Sequence, residues 1–314
     1  MAAQPRTVSR SWRILPAAAA AVLLIAVGAL LIMFALGGLT RITAWYLIQV
    51  VLPVAGLLAL LLLIVYLIAV RRFTWPVAVI GLGSLLALSS LVTWVRPLTY
   101  PASLERTTPT ETVRLPSGAP LTVAWGGDEV SVNAHAATAD QRWAYDLVVA
   151  PYFHGSAEVT DYGCYGVPVV APADGVVVAA HDGEPDETPG LVSNNFTAPE
   201  GNYVALRLPS EAYLLIAHLK PGSVLVAEGD TVTEGQPIGQ CGNSGNTTEP
   251  HIHIHLQRQN PNETRINFAE GLPLYFRDHT DADGNPGPAM PTGGFRMDGD
   301  TVVALGPTLR HAGQ

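Results

Sequence analysis

The stretch Gly242–Gln257, GNSGNTTEPHIHIHLQ, decides how the C-terminal part of this chain folds. In a β-strand successive side chains point to opposite faces, so the alternation after Pro250 predicts a strand with one imidazole face and one aliphatic face. The aliphatic face belongs in a core, whereas an imidazole face is typical of a metal site or a proton-transfer site. The alternative is a strand whose histidines simply face solvent. The alternating residues are His251, Ile252, His253, Ile254, His255 and Leu256.

The segments before this strand are also β-rich. Short runs such as LTVAW, YDLVVA, NYVALRL and AYLLIAHL are separated by clusters of Gly, Pro, Asn and Asp, which is the pattern of short strands joined by turns. We therefore predict an all-β antiparallel domain, a β-sandwich or barrel-sandwich, over residues 121–305. The Pro-, Ser- and Thr-rich residues 97–120 are expected to form a linker or a loosely attached first strand. Residues 306–314 are expected to be a C-terminal tail.

Three long apolar runs precede the β-rich part. They cover Ile14–Leu36, Ala44–Val70 and Phe73–Val95, and none contains a charged residue. Each run is longer than the roughly 20 residues that a helix needs to cross the hydrocarbon core of a bilayer. A signal peptide followed by buried helices is the alternative, but a signal peptide has an apolar region of only about 7–15 residues. The sequence therefore predicts a membrane domain of three helices at residues 14–96.

Charge is distributed unevenly along the chain. Residues 1–100 contain seven arginines and no acidic residue, so the remainder carries all 26 acidic residues against ten basic ones. Such an acidic domain has no electrostatic basis for binding nucleic acid. Five arginines flank the runs on one side and two on the other, which predicts a cytoplasmic N-terminal tail at residues 1–13 and an extracytoplasmic C-terminal domain in a multi-pass protein of the cell membrane. The five are Arg6, Arg10, Arg13, Arg71 and Arg72, and the two are Arg41 and Arg96.

The two cysteines, Cys164 and Cys241, lie in the part that is predicted to be exported. That compartment tolerates disulfides, so the two residues can pair, and two buried free thiols are the alternative. They lack the CxxC spacing of a zinc site.

Five motifs in order give the exported part a family resemblance. GVPVVAPADGVVVAA, GNYVALRL, LIAHL, GDTVTEGQPIG and GNSGNTTEPHIHIHLQ together resemble the lysostaphin-type (LytM-like) zinc metallopeptidases, which cleave peptide bonds in the bacterial cell wall. The resemblance covers roughly residues 123–257. It implies one Zn²⁺ ion, a peptidoglycan peptide as substrate, and a membrane-anchored member of the family.

The resemblance also implies roles for individual residues. His253 matches the family's zinc-ligating histidine, and Asp146 in WAYDLV matches its aspartate ligand. His251 and His218 match the two catalytic histidines. His255 is expected to be a rim or supporting group, or to face solvent.

The first ligand is where this sequence departs from the family. The usual histidine four residues before the aspartate is replaced here by Arg142. Three other histidines can substitute: His135, His154 and His181. We favour His135, because QRWAYD is similar to a branch of the family with a QR-aromatic-A-x-D motif and an earlier histidine.

Three functions compete for this pattern. The first is a zinc endopeptidase that hydrolyses peptidoglycan cross-links by metal-activated water. The second is a catalytically inactive domain that binds wall peptide or regulates another hydrolase, a reading that the missing histidine motivates. The third is a lipoyl- or biotinyl-carrier module, which APADGVVV followed by GDTVTEGQPIG suggests. A carrier needs a modifiable lysine before the first of these two motifs, where this sequence has none. The only lysine, Lys220, lies beside His218, which counts against a carrier.

Overall fold

The structure, a computed structural model, describes residues 10–191, 195–299 and 301–312. Residues 1–9 of the predicted cytoplasmic tail, with Arg6, and residues 313–314 of the predicted C-terminal tail lie outside this part. The chain divides into two compact units, one ending at Leu98 and the other beginning at Thr99.

The first unit consists of three apolar helices. They are α1 (Ile14–Leu36), α2 (Gly38–Val70) and α3 (Trp75–Ser89), and a 3₁₀ turn at Ser90–Trp94 extends α3. All three are long and apolar enough to cross a membrane. Most of their large aliphatic side chains are exposed, for example Leu24 and Ile68, which is the opposite of what buried core helices show.

The second helix is longer than the apolar run predicts. α2 begins at Gly38 instead of Ala44, because Arg41 is accommodated in its first turns and donates a hydrogen bond from Nε to the carbonyl of Phe34 at 3.2 Å. The third helix begins two residues later than predicted, at Trp75, with Pro76 in its first turn. Proline is tolerated there because the backbone N–H groups of the first turn have no acceptor within the helix.

The second unit is a β-domain, as predicted. Every strand pair in the described residues is antiparallel except β1 with β12. The strands are β1 (Glu111–Val113), β2 (Leu121–Trp125), β3 (Tyr145–Val148), β4 (Pro168–Val170), β5 (Gly175–His181), β6 (Asn202–Arg207), β7 (Tyr213–Leu219), β8 (Thr231–Val232), β9 (Pro237–Gln240), β10 (Ile252–Gln257), β11 (Gly271–Leu272), β12 (Leu274–Phe276), β13 (His279–Thr280), β14 (Phe295–Asp298), β15 (Thr301–Ala304) and β16 (Thr308–His311).

One large sheet organises this unit. Its strand order is β13-β16-β2-β3-β10-β7-β6-β5-β8, and β11 pairs with the end of β10. One face of the sheet packs on a continuous aliphatic core that includes Leu147, Ile216, Ile252 and Ile254. β10 therefore lies near the middle of the sheet, where it is buried on both faces.

The edges of the β-domain differ from the expected boundaries. Residues 97–120, expected to be a linker or a loosely attached first strand, contribute the first strand, β1, which pairs in parallel with β12 in the register Glu111 to Leu274. Residues 306–314, expected to be a tail, contribute β16, which pairs with β2. Both strands are too short to show a hydrophobic pattern in the sequence. The burial of single side chains such as Val113 and Leu309 holds them on the domain.

A disulfide joins Cys164 to Cys241, with the two Cα atoms 5.8 Å apart. It ties the loop between β3 and β4 to the end of β9. Neither cysteine is therefore a free thiol.

Candidate metal centre

His251, His253 and His255, immediately before β10 and within it, share one face, opposite the aliphatic core. Ile252 and Ile254 are fully buried in that core. His251 lies just before the strand, and all three imidazoles are themselves buried. The alternative of a strand with solvent-facing histidines is therefore wrong.

Neighbouring strands bring two further groups to this face. The register of β3 on β10 sets Asp146 opposite His253, and the register of β7 sets Ala217 opposite the same histidine. In a regular strand the residue after Ala217 points into the core. His218 instead has a φ of +62°, beside an irregularity in the β6–β7 pairing. This left-handed conformation turns the imidazole of His218 back to the face that holds His253.

The carboxylate of Asp146 lies among three imidazoles. Its Oδ2 is 2.9 Å from Nε2 of His135, and its Oδ1 is 2.8 Å from Nδ1 of His253. Nε2 of His251 lies 3.4 Å from Oδ1. The ligand atoms of His135, Asp146 and His253 all lie within 4.8 Å of one another, and so do those of His218, His251 and His253.

His135 reaches this cluster from a 3₁₀ turn at Ala134–Ala137. The side chain of Asn133 caps this turn by accepting a hydrogen bond from the backbone N–H of His135. The other two histidines that the sequence offered lie elsewhere. His154 contacts the carbonyl of Asp161, and His181 contacts Glu184.

Arg142, which stands at the family's usual histidine position, is held in place by hydrogen bonds and an ion pair. Its buried guanidinium donates to the carbonyl of Tyr100 at 2.8 Å and to the carbonyl of Asp128 at 2.6 Å. It also pairs with the carboxylate of Asp128 at 2.9 Å. Arg142 thus fastens the start of the β-domain to the loop after β2, and it takes no part in the cluster.

Backbone carbonyls orient the imidazoles of His218 and His251. Nδ1 of His218 lies 2.8 Å from the carbonyl of Ser244, and Nδ1 of His251 lies 2.7 Å from the carbonyl of Glu249. A carbonyl can only accept, so each Nδ1 carries the proton and each Nε2 is left with a lone pair. The Nε2 atom of His251 faces Asp146.

The charges of the cluster are strongly coupled. Burial alone raises the pKa of Asp146, but His135 and His251 outweigh it and hold that pKa well below its usual value. Burial lowers the pKa of His251, yet Asp146 reverses this and raises it overall. Burial and the neighbouring His251 hold the pKa of His218 well below its usual value.

The polar row of β10 continues past His253, which the sequence interpretation did not resolve. Nδ1 of His255 lies 3.0 Å from Nε2 of His253, and its Nε2 lies 3.1 Å from Oε1 of Gln257. Burial lowers the pKa of His255 to about 3. The sequence signal for this row is the alternation of polar residues at every second position, which continues from 251 to 257. His255 is therefore neither a solvent-facing group nor one of the residues around Asp146.

The cluster opens into a cleft of about 420 Å³, which His135, His218 and His253 line. A second cavity of about 260 Å³ adjoins it, and Phe196 and Glu200 line both.

The donor set is suited to a zinc ion. Two imidazole nitrogens and one carboxylate oxygen are ligands that a catalytic zinc site uses, with a further position left for water. Nδ1 of His253 and Oδ1 of Asp146 lie 2.8 Å apart, and two lone pairs at that distance need a proton or a cation between them. The residues present therefore fit the metal.

Comparisons with known proteins find a family match for part of this chain. Residues 157–267 match the family described as Peptidase family M23. This match includes His218, His251 and His253, whereas His135 and Asp146 lie upstream of it.

Two curated relatives match over short segments. Peptidoglycan DD-endopeptidase ShyA of Vibrio cholerae is 36% identical over 91 residues, which cover 29% of this chain and 17% of that protein. An uncharacterized metalloprotease of Haemophilus influenzae is 38% identical over 90 residues, which cover 28% of this chain and 15% of that protein. The chain therefore spans less than a fifth of the length of either relative.

Two solved structures are similar to part of this chain. The catalytic domain of a mutant of the prophage-encoded M23 protein EnpA from Enterococcus faecalis is 17% identical with a TM-score of 0.32, over 52% of this chain and 93% of that one. The catalytic domain of lysostaphin from Staphylococcus simulans is 21% identical with a TM-score of 0.28, over 47% of this chain and 84% of that one.

Proposed function

We propose that this chain, which carries a domain of peptidase family M23, is a zinc-dependent endopeptidase that hydrolyses peptide cross-links of bacterial peptidoglycan. His135, Asp146 and His253 are the proposed zinc ligands, and His218 and His251 are the proposed catalytic residues. The observation that carries the proposal is the carboxylate of Asp146, which lies within 2.9 Å of both proposed histidine ligands.

The proposed chemistry divides between the ion and the protein. Zinc, when bound, lowers the pKa of water from about 15.7 toward about 7 and polarises a carbonyl group. The protein supplies Nε2 of His251 and of His218, which are positioned to accept a proton from water and to deliver it to the departing amine. Since their Nδ1 atoms are fixed on the carbonyls of Glu249 and Ser244, the two rings need no rotation during the reaction.

The proposed location follows from the first unit. Three helices long and apolar enough to span a bilayer support a membrane anchor, and the arginine distribution favours an extracytoplasmic β-domain. A disulfide between Cys164 and Cys241 supports an oxidising compartment. The enzyme would then act on wall peptides close to the membrane surface.

The experiment incubates the full-length protein, purified in detergent and loaded with zinc, with cross-linked peptidoglycan. We expect new amino groups to be released, and we expect this release to be lost with a chelator and in His253→Ala. The matched control is His181→Ala, which removes a histidine outside the cluster. Stoichiometric zinc binding without cleavage of any wall peptide would contradict the enzyme and favour the inactive, peptide-binding alternative.

A further inference from the structure

A line of hydrogen bonds leads away from the proposed zinc site along one face of β10. It runs from Nε2 of His253 to Nδ1 of His255 at 3.0 Å, and from Nε2 of His255 to Oε1 of Gln257 at 3.1 Å. It ends where Nε2 of Gln257 donates to the carbonyl of Gln259 at 2.7 Å. His253, His255 and Gln257 are all buried, so water cannot replace these partners freely.

The last partner fixes the direction of the whole line. A backbone carbonyl can only accept, so the amide group of Gln257 must point its NH₂ at Gln259 and its oxygen at His255. That oxygen also only accepts, so His255 carries its proton on Nε2. Nδ1 of His255 is then an acceptor, which requires the proton of His253 to lie on Nε2.

This direction leaves Nδ1 of His253 with a free lone pair. Nδ1 is the atom that faces Oδ1 of Asp146 at 2.8 Å. If the line were absent, the ring could instead protonate Nδ1 and donate to that carboxylate, which would occupy the lone pair that a metal needs. The tautomer of His253 therefore decides whether its ring can bind an ion.

We propose that His255, held by Gln257, is a positioning residue that keeps His253 in its metal-binding tautomer and thereby raises the zinc affinity of the site. This inference rests on the proposed function, because it takes His253 to be a zinc ligand. Outer partners of this kind fix the tautomer and the orientation of ligating histidines, and their loss typically costs about 10- to 100-fold in metal affinity.

The test measures zinc affinity of the full-length protein by competition with a chromophoric chelator. His255→Leu removes the acceptor, and we expect its zinc dissociation constant to rise about 10- to 100-fold. His255→Glu restores an acceptor beside Nε2 of His253, and we expect it to retain most of the wild-type affinity. His181→Leu makes the same change at an exposed histidine and should leave the affinity unaltered.

The outcomes distinguish failure of the proposed function from failure of the positioning role of His255. A wild-type protein that is folded but binds no zinc removes the proposed function itself. A wild-type protein that binds zinc, with equal affinity in folded His255→Leu, overturns only the positioning role. So does a rise in KM for wall peptides at unchanged zinc affinity, which would mark His255 as a substrate contact in the cleft that it lines.

A further variant covers the case in which His255→Leu does not fold. Gln257→Leu keeps every imidazole and removes the group that fixes the direction of the line, so we expect weaker zinc binding than in the wild type. Unchanged zinc affinity in folded Gln257→Leu overturns the proposal.

Discussion

At the scale of single residues, the imidazoles of the cluster differ in which ring nitrogen is held by a neighbouring group and in what that group is. Nδ1 of His253 faces Oδ1 of Asp146, whereas Nδ1 of His218 and Nδ1 of His251 donate hydrogen bonds to backbone carbonyls. The first arrangement is suited to a ligand, and the second leaves Nε2 available for proton transfer.

This difference predicts two classes of histidine variant. We expect His218→Ala to keep zinc stoichiometry while lowering the rate of cross-link cleavage by about 10²- to 10⁴-fold, since it removes only the proposed proton-transfer group. His253→Ala should lose zinc and activity together. Metal analysis and turnover of muropeptides, measured on the same preparations, separate the classes, and zinc loss in His218→Ala would contradict the assignment.

Arg142 and His135 show what the sequence could and could not reveal at this scale. The sequence showed that the usual histidine is absent, but three other histidines could take its place. The structure distinguishes them, because the 3₁₀ turn at Ala134–Ala137 places Nε2 of His135 2.9 Å from Asp146. Spacing along the chain does not define a distance when a turn intervenes. The role of Arg142 was equally hidden, because its partners Tyr100 and Asp128 lie 42 and 14 residues away.

Replacement of Arg142 should therefore affect folding before chemistry. Arg142→Ala leaves the carbonyls of Tyr100 and Asp128 without their charged donor, which we expect to lower the free energy of unfolding by about 2–4 kcal/mol. Denaturant unfolding monitored by tryptophan fluorescence measures this change. Arg207→Ala, which breaks an exposed pair with Glu211, is the matched control and should cost under about 1 kcal/mol. A similar small cost at both positions would refute the structural role of Arg142.

Glu249 gives the β-domain a pH-dependent stability. Burial raises the pKa of its carboxyl from 4.5 to about 7, although Oε2 accepts a hydrogen bond from the N–H of Phe153. Its Oε1 finds no hydrogen-bond partner among the described residues. Between pH 4.5 and 7 the folded protein holds this proton while the unfolded chain releases it, so stability falls as the pH rises through that window.

The predicted loss reaches at most about 3 kcal/mol, because each pKa unit corresponds to about 1.36 kcal/mol. In Glu249→Gln, with zinc removed by a chelator, we expect the unfolding free energy to depend less on pH over this range. Glu228→Gln, an exposed glutamate, should retain the wild-type slope. An identical slope in Glu249→Gln and wild type would show that another group is responsible.

At the scale of elements, the strand that defines the site could be predicted because its pattern is long and strict. Six alternating residues identify β10 and both of its faces. β1 and β16 have three and four residues, too few for a period to be recognised, and their places depend on partners far along the chain. The turned backbone at His218 could not be predicted either, because a φ of +62° in a non-glycine residue has no sequence signature here.

The disulfide is the main covalent link between elements. It closes a loop of 77 residues between Cys164 and Cys241, and the loss of loop entropy in the unfolded chain is worth about 4 kcal/mol. We expect the double variant Cys164→Ala/Cys241→Ala to unfold at a correspondingly lower denaturant concentration. Reductant should shift the wild type toward the variant and leave the variant unchanged. An oxidised wild type that unfolds together with the reduced protein would contradict the prediction.

At the scale of the whole molecule, the arginines on the helical unit predict how it lies in the membrane. Arg71 and Arg72 fill the turn between α2 and α3, and with the N-terminal arginines they outnumber Arg41 and Arg96 by five to two. Lysine and arginine in short loops are retained on the cytoplasmic side. With an odd number of spans, this bias predicts an extracytoplasmic β-domain, in a compartment that tolerates disulfides.

A tag after the last residue tests this orientation. In intact spheroplasts, added protease should remove the tag from the wild type, because the arginine bias predicts that the C-terminal side of α3 lies outside the cytoplasm. Arg71→Ala/Arg72→Ala lowers the bias to three against two, and we expect part of the population to become protected. Arg41→Ala/Arg96→Ala removes the opposing charges and should leave every tag accessible. A wild-type tag that is cleaved only after lysis would place the β-domain in the cytoplasm, and the proposed action on peptidoglycan could not then stand.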